Sequence, residues 1–199
     1  MQESAAPENR RTSPFHKLVT GNLALQVMVT ILAAILYAVL TNFMGDLAAG
    51  AITSAIFIPA YVSMIYTFYW GTAERERNMV LYGHMKEDKS RGLRSGLFSV
   101  IPLAIFTLVA IVLAYAGAGA NVIGIYRICT APFLLLVNPL LEYAPFALLV
   151  LLVFSPLASW WGYQNGYNLY RVWDHLIYKN GVKPRRGAKR ETGPRKRKN

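Results

Sequence analysis

The chain has 199 residues, 54% of them apolar, yet it carries a formal charge of +11 and a mean hydropathy of +0.31. A soluble globule of this length does not combine these properties, so apolar and basic residues must be segregated along the chain. A single cysteine, Cys129, excludes an internal disulfide framework, a CxxC redox pair and a Cys-rich zinc site, and HExxH, GxSxG, Walker A and GxGxxG patterns are absent, so no cofactor is implied.

No Lys, Arg, Asp or Glu occurs in 18–45, 47–73, 95–126, 128–141 or 143–170. Such runs match the roughly 20 residues needed to cross a hydrocarbon layer of about 30 Å. Residues 1–17 are polar, contain Pro7 and Pro14, and read as a disordered terminus. The first span is expected over 22–43. Its apolar run starts near residue 18 and is too long for the core of a signal peptide, so it is expected to remain as an anchor. After the turn Met44-Gly45-Asp46 a second span is expected over 47–70, closed by the interfacial aromatic cluster Phe68-Tyr69-Trp70. A charged loop, 71–95, follows, and then a third span over 96–115.

The stretch 118–144 is broken by Arg127, Pro132, Asn138, Pro139 and Glu142. Its apolar run is too short for a span, which predicts a re-entrant or interfacial segment. A fourth span over 145–163 contains Pro156 and is expected to run on as an amphipathic surface helix, with Leu169, Trp173, Leu176 and Ile177 at helical spacing. Residues 179–199 read as a disordered polybasic tail.

Charge fixes the expected orientation. With four spans, the N-terminus, the 71–95 loop and the tail share one side, which then holds 20 of the 21 basic residues; Arg127 alone falls opposite. The positive-inside rule makes that side cytoplasmic. A fifth span at 122–141 would export the basic tail.

Five features are candidates for function. Asn22, Gln26, Thr30, Tyr37 and Thr41 form a polar stripe on the first span, either lining a permeation path or bonding to neighbouring helices. No ionisable group joins it at mid-membrane, which weakens an ion-coupled transporter. Pro59, Pro102 and Pro156 kink three spans, and Ser63, Ser99, Ser155 and Ser159 lie close enough to serve the freed carbonyls. Small residues at four-residue spacing, Gly45 with Ala49 and Ala51 with Ala55, suit close packing of the first hairpin or a homo-oligomer.

The loop offers Arg75, Arg77, His84, Lys86, Asp88, Lys89 and Arg91 to a protein partner or a lipid headgroup. The competing reading is a solvated loop that pairs its own charges. His84 and Asp88 stand at i, i+4, but two ligands make no metal site. In the tail, Lys183, Arg185, Arg186, Lys189 and Arg190 are placed to meet anionic lipid at roughly 1 kcal/mol per basic residue. They equally suit simple cytoplasmic retention. No aromatic residue interleaves there, so no specific nucleic-acid binding is expected.

The loop residues Glu74-Arg75-Glu76-Arg77-Asn78, Tyr82-Gly83-His84, Lys86-Glu87-Asp88-Lys89 and Arg91-Gly92, with Gly162-Tyr163-Gln164-Asn165-Gly166-Tyr167 further on, resemble a group of small bacterial multi-pass membrane proteins. The resemblance implies a bacterial cell membrane and about four helices. It brings no activity and no catalytic residue.

The sequence therefore predicts an all-α, polytopic membrane protein with four transmembrane helices and both termini cytoplasmic. Its leading functional reading is a non-enzymatic structural or partner-binding component. The alternatives are a small transporter or permeation protein using the polar stripe, and a membrane enzyme acting on lipid through His84, Asp88 and Arg91.

Overall fold

A computed structural model describes residues 15–83, 86, 88–117 and 119–169. His84, the tail residues Lys183, Arg185, Arg186, Lys189 and Arg190, and the expected surface helix beyond Leu169 lie outside the described residues.

Six α-helices account for nearly all of the described chain: α1 Phe15–Thr41, α2 Asp46–Leu81, α3 Arg91–Tyr115, α4 Ala120–Cys129, α5 Leu134–Tyr143 and α6 Leu151–Tyr167. Short 3₁₀ turns precede α5 and α6, at Ala131–Phe133 and Pro145–Val150. Four helices, the last counted with its 3₁₀ turn from Pro145, are long and apolar enough to span a membrane. Their surface is apolar as expected of a bilayer-facing bundle: Val27, Ile31 and Ile35 on α1 and Ile101, Ile105 and Val112 on α3 are all exposed.

The pair α4 and α5 is bent by 87° at Thr130, where the chain leaves α4 through a residue with φ −110° and passes at once into Pro132. The placement of this pair follows from its two ends. Ala120 follows Tyr115, the last residue of α3, by only five positions, and the chain returns at Phe146, whose ring lies 5.9 Å from that of the same Tyr115. Both ends are thus at one level. The segment leaves and rejoins the bundle at one end, as a re-entrant or interfacial segment between the third and fourth long apolar helices does.

The bend dips beneath the α1–α2 turn. The Leu135 N–H donates to Ser54 Oγ at 2.9 Å, and the Phe133 ring packs edge-on against Tyr61 at 5.2 Å. Ser54 lies eight residues into α2, so the bend sits about 12 Å below the turn.

At the opposite end, which we call the loop end, α2 is longer than its span. Its 36 residues reach about 54 Å, well beyond a hydrocarbon core of about 30 Å. The expected loop over 71–95 is therefore mostly helix: α2 continues to Leu81, ends at Gly83 with φ +73°, and α3 begins at Arg91. Gly92 does not interrupt α3; it lies inside the first turn. The α6 helix stops at Tyr167, and Leu169 turns out with φ +56°.

Two glycine pairs one turn apart join α6 to its neighbours. A Cβ at Gly162 would collide with the Tyr66 carbonyl and one at Gly166 with the Trp70 carbonyl, while Gly92 and Gly96 of α3 face Tyr163 and Ser159. Backbones here touch, which is the close approach that small residues permit in a bilayer. The small-residue stripe expected to do this, near Gly45 and Ala49, behaves otherwise: Gly45 faces open space, and Gly50 meets Leu134 at ordinary contact distance.

Candidate functional site

A groove of about 1020 Å³ runs along one flank of α1, with α3, α4 and the bend as its other walls. Its volume is at the upper end for small-molecule sites. Along α1 it extends from Leu23 to Thr41, a rise of about 27 Å, with apolar walls including Val27, Ile31, Leu103 and Phe106.

Four of the five stripe residues, Gln26, Thr30, Tyr37 and Thr41, line this groove. The fifth, Asn22, is fully buried behind it. The stripe therefore divides by role. Asn22 and Gln26 clip α1 to α3 and α6: the Asn22 amide donates to Ser99 Oγ at 2.6 Å and Ser155 Oγ at 3.3 Å, and the Gln26 amide to the same two hydroxyls at 3.2 and 2.9 Å. This is helix-to-helix bonding in a medium where water offers no alternative. Thr41 donates to the Ala38 carbonyl of its own helix at 2.9 Å. Thr30 and Tyr37 make no side-chain hydrogen bond among the described residues, so their hydroxyls face the groove uncommitted.

Two serines expected to relieve proline-freed carbonyls are used otherwise. Ser99 donates to Gly96 O at 2.8 Å and Ser159 to Pro156 O at 2.9 Å, not to the carbonyls of Phe98 and Leu152, four residues before Pro102 and Pro156. The Asn22 Oδ1 and the Tyr69 hydroxyl, both buried, make no hydrogen bond of good geometry among the described residues, although the Tyr69 hydroxyl faces the Asn22 and Ser95 side chains.

Near the α1–α2 turn the groove acquires charge. Arg127, in the last turn of α4, lines it beside Cys129 and Thr130. Arg127 is exposed and has no carboxylate within ion-pair distance among the described residues. Asp46 opens α2 just above, and both charges fall within electrostatic reach of the Tyr37 hydroxyl.

The loop end carries a different constellation. Glu76, 2% exposed, receives the Tyr163 hydroxyl on Oε2 at 2.6 Å and pairs through Oε1 with Arg91 Nη1 at 2.9 Å. The Oε1 contact has ion-pair distance without hydrogen-bond alignment. Three helices meet in this cluster, and Arg91, expected to be offered to a partner or headgroup, is held inside the protein instead. Asp88 is likewise engaged: it accepts from Ser90 N at 3.1 Å and Ser90 Oγ at 2.7 Å and pairs with Arg94 at 3.3 Å. The Ser90 hydroxyl, followed by the neighbouring guanidinium groups, holds the Asp88 carboxyl below its ordinary value. Lys89 lies over the Tyr167 ring at 5.8 Å. Arg75 and Lys86 are exposed and Arg77 half-buried. Among the described residues no three His, Cys, Asp or Glu side chains come together.

Sequence reasoning missed Glu76 and Tyr163 as cluster members. The signal available was Glu76 in a helix followed fifteen residues later by Arg91 at the next helix start, which is compatible with many pairings.

Comparison of the chain with protein families, with curated proteins and with solved structures finds no match in any of the three.

Proposed function

We propose that this protein is a non-enzymatic membrane component that takes an amphiphilic molecule from the bilayer into the groove beside α1. The supporting observation is a coincidence of position: the uncommitted hydroxyls of Thr30 and Tyr37 lie in the walls of one large, otherwise apolar groove. An apolar cleft with a few placed polar groups is the usual form of a small-molecule site. Among the readings drawn from the sequence, this is closest to the transport or permeation alternative, with a lipid-like cargo in place of an ion.

The membrane we infer is a bacterial cell membrane with the loop end cytoplasmic, as the resemblance and the distribution of basic residues suggest. On that reading Arg75, Arg77 and Lys86, with the basic tail, face an anionic inner leaflet.

The test uses Gly124, which lines the groove and where an added Cβ meets nothing within 4 Å. Purified in mild detergent, the native chain is expected to retain an amphiphile detectable by native mass spectrometry, and Gly124→Phe to lose it with an unchanged melting temperature. Equal retention by both would count against the groove as the site.

A further inference from the structure

The charges at the groove mouth are ordered. Arg127 is the inner one, a member of the groove wall on α4. Asp46 is the outer one, five residues past Thr41, where α1 has ended and α2 begins. The third charged residue on this side, Glu142, is exposed on the other arm of the bent pair; neither it nor Asp46 belongs to the groove walls, but Asp46, like Arg127, falls within electrostatic reach of the groove-lining Tyr37. The mouth thus offers one cation and, farther out, one anion.

An amphiphile with a single negative headgroup matches half of this arrangement and meets Asp46 as a like charge. A headgroup that carries a negative charge next to its apolar body and a positive charge beyond it matches both in sequence. Phospholipids of the phosphoethanolamine type have that order: the phosphodiester joins the glycerol, and the ammonium follows. Guanidinium groups hold phosphate oxygens through several N–H donors, and Arg127 has no competing carboxylate within reach among the described residues.

Resting on the groove reading above, we propose that the groove seats one phosphoethanolamine-type phospholipid. Its phosphate lies on Arg127, its ammonium near Asp46, and an acyl chain runs down the apolar wall of α1 past Thr30. Tyr37 and Thr41, between the two charges and the apolar wall, face the ester region. The 27 Å length of the wall exceeds one leaflet of about 15 Å, so it accommodates an extended chain without crowding at the Gln26 floor.

The experiment presents the full-length protein in detergent with phosphatidylethanolamine, phosphatidylglycerol or diacylglycerol of the same acyl composition, and measures bound lipid by native mass spectrometry. The expected order is phosphatidylethanolamine, then phosphatidylglycerol, then diacylglycerol, each step about fivefold, as one partly exposed charge contact supplies. Arg127→Gln should erase the advantage of phosphatidylglycerol over diacylglycerol and reduce that of phosphatidylethanolamine, and Asp46→Asn should erase or reverse the preference for ethanolamine over glycerol. Diacylglycerol binding as well as the phospholipids, with Arg127→Gln silent, would overturn the headgroup assignment and leave the groove intact. Phosphatidylglycerol binding best would overturn the ammonium at Asp46. No lipid retained by either the native chain or Gly124→Phe would overturn the groove reading itself.

Discussion

At the residue scale, two buried polar groups ask for opposite treatment. The Tyr69 hydroxyl faces Asn22 and Ser95 without reaching hydrogen-bond geometry with any described residue, so its desolvation is only weakly offset, and removing it should cost little. Tyr69→Phe is expected to leave the melting temperature unchanged or higher, whereas Asn22→Leu, which strips two donors from Ser99 and Ser155, should cost about 1–3 kcal/mol. A large loss in Tyr69→Phe would mean the hydroxyl is bonded after all. The Glu76 cluster is the costlier one: Arg91→Met leaves a buried carboxylate uncompensated and should destabilise by about 3–5 kcal/mol, with Tyr163→Phe nearer 1 kcal/mol. If thermal unfolding shows the double change Glu76→Gln with Arg91→Met as damaging as the sum of its parts, the two residues are not coupled. Asp88 supplies the pH dependence. Because its carboxyl is held below the ordinary value of 3.8, the contribution is complete above that pH and fades as acid protonates the folded form. The gap in melting temperature between the native chain and Asp88→Ala should therefore narrow below about pH 4. A constant gap down to pH 3 would assign the effect to something other than the charge.

At the element scale, the helices of the bundle were legible because a bilayer demands long uninterrupted apolar runs and the chain supplies them at 18–45, 47–73 and 95–126. The expected re-entrant segment follows from the same arithmetic, since Arg127 and Glu142 leave too short a run between them. Less legible was where α2 stops. Residues such as Glu74, Arg75, Glu76 and Arg77 look like loop by polarity, yet they are good helix formers and continue a helix already nucleated in the membrane. Nor does a small residue announce its partner. Gly45 and Ala49 satisfy the same spacing as Gly162 and Gly166, yet Gly45 faces open space while Gly162 and Gly166 both meet a backbone. Substitution separates them: Gly162→Val should abolish the folded bundle or lower its melting point steeply, while Gly71→Ala, with nothing within 4 Å of the new carbon, should stabilise α2 by up to about 1 kcal/mol. Equal tolerance at both positions in a thermal-shift assay would contradict the close packing. Of the polar stripe, the alignment on one face was readable from periodicity. Its division into clips and groove hydroxyls was not, because that depends on Ser99 and Ser155 arriving from helices more than seventy residues away.

At the scale of the whole molecule, Phe15, the α2–α3 connection and Tyr167 share the loop end: Phe15 packs on Phe98 at 5.6 Å, and Gln164 reaches the Lys89 carbonyl at 3.4 Å. The orientation we propose places Cys129 and the groove mouth toward the outside. The single cysteine of the chain is easily removed, which makes that measurable. In a Cys129→Ser background, a membrane-impermeant maleimide added to intact cells should label the thiol of Gly45→Cys, in the α1–α2 turn where an added side chain meets nothing within 4 Å, and a reporter fused to the C-terminus should be active only inside. Labelling confined to inverted vesicles would reverse the topology and with it the leaflet from which the groove is filled.

Packing is uneven across the bundle, and this has a mechanical consequence. Of the most apolar stretch of α1 only 17% is buried against protein, compared with 44% for the last span, which α2 and α3 grip backbone to backbone. Three helices thus form a tightly packed wedge, and α1 joins it through the two amides, the Gly21 contact with Phe68 and a narrow seam at Val29 and Ala33. Lipid tails replace its lost apolar contacts at almost no expense. Among the four spans α1 therefore gives up the least protein contact when it is displaced, and since it forms one whole flank of the groove, any such displacement changes the width of the groove.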